Sequence, residues 1–173
     1  MTMKKTFLLF TLTALCFLSY ITGCGYHVAG KGGHMPGGIE EVSIPVFVNM
    51  TKKPDIESII STAFVSEFVT TVGVRAGAGA ELRGAILSYE LSPVSYTKND
   101  VVQEYRLSVT LSLVLVEKAG GAVLWEDRNV RDYEDFKVTS TDVTATEEAE
   151  ISVFRKLSKD VARLVKERML ENF

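Results

Sequence analysis

The chain is nearly without cysteine. It holds two, Cys16 and Cys24, in 173 residues. Neither falls in a CxxC pair, so the usual spacings of zinc and redox sites are absent. Histidine is equally scarce, with only His27 and His34. Both lie in a glycine-rich stretch, where a metal site would want carboxylates and a rigid frame. No GxSxG elbow, Walker loop, HExxH helix or cysteine nucleophile occurs. Paired acids exist at Glu40-Glu41, Glu126-Asp127 and Glu147-Glu148. All read as solvated charge rather than as two carboxylates facing each other across a cleft. The expectation is a protein without catalytic residues, metal or cofactor. An excess of basic charge is lacking too: 19 Lys and Arg stand against 22 Asp and Glu, a net charge of −3. That excludes nucleic acid as an obvious partner.

What is present begins with residues 1–23. Lys4 and Lys5 precede an apolar run from Phe7 to Ile21, then the small residues Thr22 and Gly23, then Cys24. The run falls short of the ~20 apolar residues of a spanning helix. Its three parts are those of a secretory signal peptide. Ile21-Thr22-Gly23-Cys24 resembles a bacterial lipobox, which makes Cys24 the acylated first residue of the mature protein. Several acyl chains suffice for stable anchoring where one is marginal. Gly25 follows the cysteine where an Asp would favour retention in the inner membrane, so the expected address is the periplasmic face of the outer membrane. Cleavage removes Cys16, Lys4 and Lys5. The remaining chain has no disulfide available, and 17 basic against 22 acidic residues give a net charge of −5.

Residues 24–40 carry six glycines and Pro36 and are expected to form a flexible tether. Residues 41–173 are long enough for one domain. Glu41 to Asn49 alternates, with Val42, Ile44, Val46 and Val48 on one side and Phe47 on the other, which predicts a strand. Pro45 places that strand at a sheet edge or a bulge. Pro54 to Val72 has helical spacing, with Ile56, Ile59, Ile60, Ala63, Phe64, Phe68 and Val72 as its apolar stripe and Gly73 as its stop. A small-residue turn over 76–80 leads into a strand from Glu81 to about Val94. The clearest strand is Glu104 to Glu117, where Tyr105, Leu107, Val109, Leu111, Leu113 and Leu115 alternate with Arg106, Ser108, Thr110 and Ser112. It pairs as a hairpin with Ala122 to Tyr133, and the two together predict a ribbon reaching beyond the helices. Thr144 and Glu147 have capping-box spacing for a last helix to about Leu170, with Phe154, Leu157, Val161, Leu164 and Val165 inward. The expected fold is α+β, a β-α-β-β-β-α two-layer sandwich whose four-stranded sheet carries both helices on one face.

Four pieces in this order carry a family resemblance: Cys24-Gly25-Tyr26-His27, then Ile44-Pro45-Val46-Phe47-Val48-Asn49-Met50-Thr51, then the helix from Pro54 through Glu67-Phe68, then Glu81-Leu82-Arg83-Gly84-Ala85-Ile86. Together they resemble LptE, the lipopolysaccharide-assembly lipoprotein of the Gram-negative outer membrane. The resemblance implies a protein that plugs the lumen of the LptD β-barrel, helps assemble it, and takes part in inserting lipopolysaccharide into the outer leaflet. A polar strand face suits such a lumen, which is itself polar. For lipopolysaccharide contact, the family's basic residue between the second and third strands falls on Lys98. The family's other basic position, before the last helix, has no counterpart in Val143-Thr144-Ala145-Thr146, and Lys137 is the nearest preceding cation. Arg106 is the further candidate, with Arg128 and Arg131 on the neighbouring strand. The competing readings are an independent periplasm-facing scaffold or envelope-binding lipoprotein without a barrel partner, and an envelope enzyme.

Overall fold

The computed structural model describes residues 34–98, 101–138 and 143–171. After a short 3-10 turn at Pro36–Gly38 come, among the described residues, six strands and two α-helices: β1 (Glu41–Ser43), β2 (Val48–Asn49), α1 (Ile56–Phe68), β3 (Gly73–Val74), β4 (Ala80–Tyr96), β5 (Val102–Glu117), β6 (Val123–Lys137) and α2 (Val143–Glu171). The class is α+β as expected, but the sheet has six strands rather than four, in the order β3-β1-β4-β5-β6, with β2 also paired to β4. The sheet is mixed. β1 runs parallel to both β3 and β4, and β2 runs parallel to β4, whereas β4, β5 and β6 form an antiparallel meander.

The two extra strands have separate causes. Pro45 cannot donate to a ladder, and the expected strand over 41–49 breaks there into β1 and β2. Its alternation breaks with it: Val42 is buried, Val46 and Val48 are 66% and 58% exposed, and Phe47 turns into the core. β1 is therefore interior, not an edge, because β3 covers its other side. β3 itself arises because α1 ends at Phe68 rather than at Val72. Thr70 Oγ1 donates to the Glu67 carbonyl at 2.7 Å, which competes with continued helix. The chain then extends, and Gly73 N–H donates to Glu40 O at 2.9 Å.

Leu107, Val109, Leu111, Leu113 and Leu115 of β5 are fully buried beneath both helices, as their spacing predicts. They join the α1 stripe and Phe154, Leu157, Val161 and Val165 of α2 in a single core. Met35, within the expected tether, is also buried in it. β4 runs past Pro93 to Tyr96. Beyond Ile86 its only described neighbour is β5, so the missing N–H of Pro93 faces a free edge. α2 starts at Val143, so Thr144 lies inside the helix and not at its cap.

The junction between β2 and α1 is held by polar bonds. Ser61 Oγ accepts from Phe47 N–H at 2.9 Å and donates to Glu57 O at 2.6 Å. Asn49 Oδ1 accepts from Thr51 N–H and hydroxyl, and its Nδ2 donates to Lys53 O and Glu57 Oε2. Ser61→Ala leaves the buried Phe47 N–H without an acceptor and is expected to cost about 1–2 kcal/mol in chemical denaturation. An unchanged midpoint and slope would refute this.

Candidate functional site

The meander β4-β5-β6 has two unlike faces. The helix-side face is consumed by packing, and ion pairs fasten it at its margin: Lys156 of α2 meets Glu134, and Arg168 Nη1 donates to Asp127 Oδ2 at 2.8 Å. The opposite face carries Arg106, Ser108, Thr110 and Ser112 of β5. Their cross-strand neighbours are Asp135 beside Arg106, Tyr133 beside Ser108 and Arg131 beside Thr110 on β6, and Ser92, Glu90, Ser88 and Ala85 on β4. Neither α1 nor α2 covers this face. It is bonded internally all the same, with Ser88 and Thr110 hydroxyls 2.9 Å apart.

Arg106 is the best-held cation on that face. Its Nε and Nη2 donate to the two Asp135 oxygens at 2.7 and 2.8 Å. Its guanidinium carbon stands 4.0 Å from the centre of the Tyr133 ring. The hydrogen bonds from Arg106 hold the Asp135 carboxyl below the usual carboxylate range, and those to Asp135 raise Arg106 in turn. Two of its five N–H donors are spent on Asp135, and the paired carboxylate offsets the charge that a further anion would meet.

Lys98 sits elsewhere. It occupies the turn after β4, exposed and without an ion pair to any described residue. Arg106 lies opposite Ser92, six residues back along β4, or roughly 20 Å of strand. The structure therefore does not join Lys98 and Arg106 in one pocket. Arg131 shares the open face with Arg106, whereas Arg128 is bonded to Glu126 at 2.9 Å. Leu91, Val94, Tyr96 and Val101 are exposed along the same end of the β4-β5 hairpin. Cys24 and His27 lie outside the described residues, and His34 is exposed. Among the described residues no group of three or more His, Cys, Asp or Glu side chains could hold a metal ion. No described helix is long and apolar enough to cross a membrane.

One constellation gave no signal in the sequence. Glu150, 7% exposed, accepts from the Tyr89 hydroxyl at 2.6 Å and from Lys53 Nζ at 2.8 Å. The three residues come from α2, β4 and the loop before α1, and only the tertiary fold brings them together.

The model of the LptE family, described as lipopolysaccharide-assembly, matches residues 39–169. The chain belongs to the LptE family. Three solved structures share the fold of this LptE-family chain at identities that carry fold alone. Uncharacterized lipoprotein B from Nitrosomonas europaea has a TM-score of 0.55 at 15% identity, covering 86% of this chain and 92% of its own. A putative lipoprotein from Caulobacter crescentus has a TM-score of 0.53 at 9% identity, covering 73% and 89%. Protein XCC0632 from Xanthomonas campestris has a TM-score of 0.52 at 11% identity, covering 82% and 89%. No curated protein sequence matches the chain at a significant level. Of the residues that carry the LptE resemblance, several described ones are architectural: Phe47, Asn49 and Thr51 build the β2-α1 junction, and Gly84 lies under the Phe47 ring.

Proposed function

We propose that the protein is an outer-membrane lipoprotein, anchored through Cys24, that sits in the lumen of an LptD-type β-barrel and takes part in lipopolysaccharide insertion. It acts by binding and shape, without catalysis. The observation that carries this reading is the open polar face of β4-β5-β6 in a chain whose family match spans residues 39–169. A long polar face left bare by the helices fits a polar lumen wall. Lys98 is the proposed lipopolysaccharide contact, because it is exposed and has no ion pair among the described residues, while the charge of Arg106 is offset by Asp135.

The test is a gentle-detergent pull-down of the C-terminally tagged, full-length protein from its own host's membranes, read by mass spectrometry. A stoichiometric large β-barrel protein is expected. Recovery of the lipoprotein alone, with other outer-membrane complexes intact, sinks the reading and favours the independent envelope module. In the recovered complex, Lys98→Glu should lower co-purifying lipopolysaccharide by about tenfold, the scale of one charged hydrogen bond lost, with barrel recovery unchanged. Equal lipopolysaccharide would remove Lys98 from the site.

A further inference from the structure

The helix layer has a cleft of its own on the side turned away from the sheet. It lies between α1 and α2 as an open groove of about 320 Å³, the lower end of the volume range of small-molecule sites. Ile59 and Ala63 form its floor. Ser58, Thr62 and Ser66 line one wall, and Arg155 and Lys159 line the other.

The charge arrangement on α2 is selective. Six cations lie on its described length. Four have an acidic partner: Lys156 with Glu134, Arg163 with Asp160 at 3.6 Å, Lys166 with Glu67 at 2.6 Å, and Arg168 with Asp127 at 2.8 Å. Arg155 and Lys159 have none among the described residues, and both face the cleft. Like charges four apart on a helix repel by a few tenths of a kcal/mol. In a chain with more acids than bases, an unneutralised pair is conspicuous. The opposite wall adds hydroxyl donors. Thr62 Oγ1 spends its proton on Ser58 O at 2.8 Å, whereas the Ser58 and Ser66 hydroxyls have no partner among the described residues. A guanidinium, an ammonium and two free hydroxyls thus surround a space with an apolar floor.

We propose that this cleft binds a phosphate ester carried on a sugar. Arg155 can hold two phosphate oxygens in its planar fork, and Lys159 supplies a point charge beside it. The apolar floor accepts the carbon face of the sugar, and the small wall residues leave room for it. Two sources share this chemistry: a soluble sugar phosphate and the phosphorylated glycan headgroup of a lipid. The second source rests on the function proposed above, and the site itself does not.

The test uses full-length protein in detergent at low salt, titrated into glucose 1-phosphate and followed by phosphorus NMR, with glucose as the neutral control. Saturable shift of the phosphate resonance is expected. Arg155→Gln with Lys159→Gln should weaken binding at least tenfold with the melting temperature unchanged, since both side chains are exposed and have no ion pair among the described residues. Lys52→Gln, which removes an exposed cation outside the cleft, should leave binding intact. Displacement of glucose 1-phosphate by lipopolysaccharide assigns the site to the lipid headgroup, and binding that survives excess lipopolysaccharide assigns it to the soluble ester. No saturable shift, or equal binding by the double variant, overturns the proposal whether or not a barrel co-purifies. Loss of an acidic protein partner on the same double substitution, without phosphate binding, overturns it in favour of a protein contact.

Discussion

Gly84→Ala is expected to destabilise the domain by about 3 kcal/mol, at the upper end for an overpacked core, and to lower its melting temperature by about 10 °C. Gly84 lies on the core face of β4 between Leu82 and Ile86. A Cβ there would stand 2.6–2.7 Å from three ring atoms of Phe47, against the roughly 3.5–4.0 Å at which carbon atoms rest. The ring cannot easily retreat. It meets Phe64 edge-on at 4.9 Å, and its backbone N–H is tied to Ser61 Oγ. One methyl group must therefore displace either the Phe47-Phe64 pair or β4 itself. A double-mutant cycle by thermal and chemical unfolding checks the cause. With Phe47→Leu as background, the cost of Gly84→Ala should fall by about 1 kcal/mol or more, the coupling expected of residues in contact. An undiminished cost would place the strain elsewhere.

Gly84 also marks where the sequence stops being legible. It stands out only as a small residue in a strand, and nothing local says that an aromatic ring covers it. Periodicity recovered what depends on one element at a time. Most of the α1 stripe, the α2 stripe and the alternation of β5 fall on the core as their spacing predicts, although Leu164 lies outside it and Ile59 is only half-buried. It failed where one residue overrules its neighbours. Pro45 splits a strand, so Val46 and Val48 point to solvent despite their pattern, and the Thr70 hydroxyl bond accompanies the early end of α1. β1 and β3 are three and two residues long, too short for any period to register. The candidate site divides in the same way. Lys98 and Arg106 were legible as cations on the ribbon, but the bidentate claim of Asp135 on Arg106 needs the register of β5 against β6. The cleft cations Arg155 and Lys159 looked like any others among the interspersed charges of α2. That they lack an acidic partner among the described residues is a property of the assembled helices.

Glu150→Ala is expected to cost about 2–3 kcal/mol, the desolvation scale of buried polar groups that lose a partner. The carboxylate serves two donors from different elements, Tyr89 of β4 and Lys53 of the loop before α1. Their fates differ on truncation. The Lys53 ammonium is more than one-third exposed and can turn to water. The Tyr89 hydroxyl is held in place by its ring, which packs edge-on against Phe154 at 5.3 Å. It keeps its burial and loses its acceptor. Glu150→Gln preserves an acceptor for Tyr89 and should cost about half as much. The same contact sets an alkaline limit. Burial, and then the Glu150 carboxylate, push Tyr89 well above its usual range. Below about pH 10, the unfolded value, the tyrosine is neutral in both states and the contact contributes fully. As pH rises past that point the unfolded tyrosine ionises while the folded one stays neutral, so this contribution is progressively lost. Tyr89→Phe should flatten the fall in stability between pH 9 and 11 relative to the parent, and an identical slope would refute the assignment. Hydrogen exchange separates this effect from global unfolding. Because Glu150 ties α2 to β4 just past the Leu87 bulge, its loss should speed exchange along the outer half of the β4-β5 hairpin before the core amides respond. That outer half carries Lys98. A ribbon loosened at Tyr89 should therefore weaken lipopolysaccharide capture without touching the cation proposed to make it.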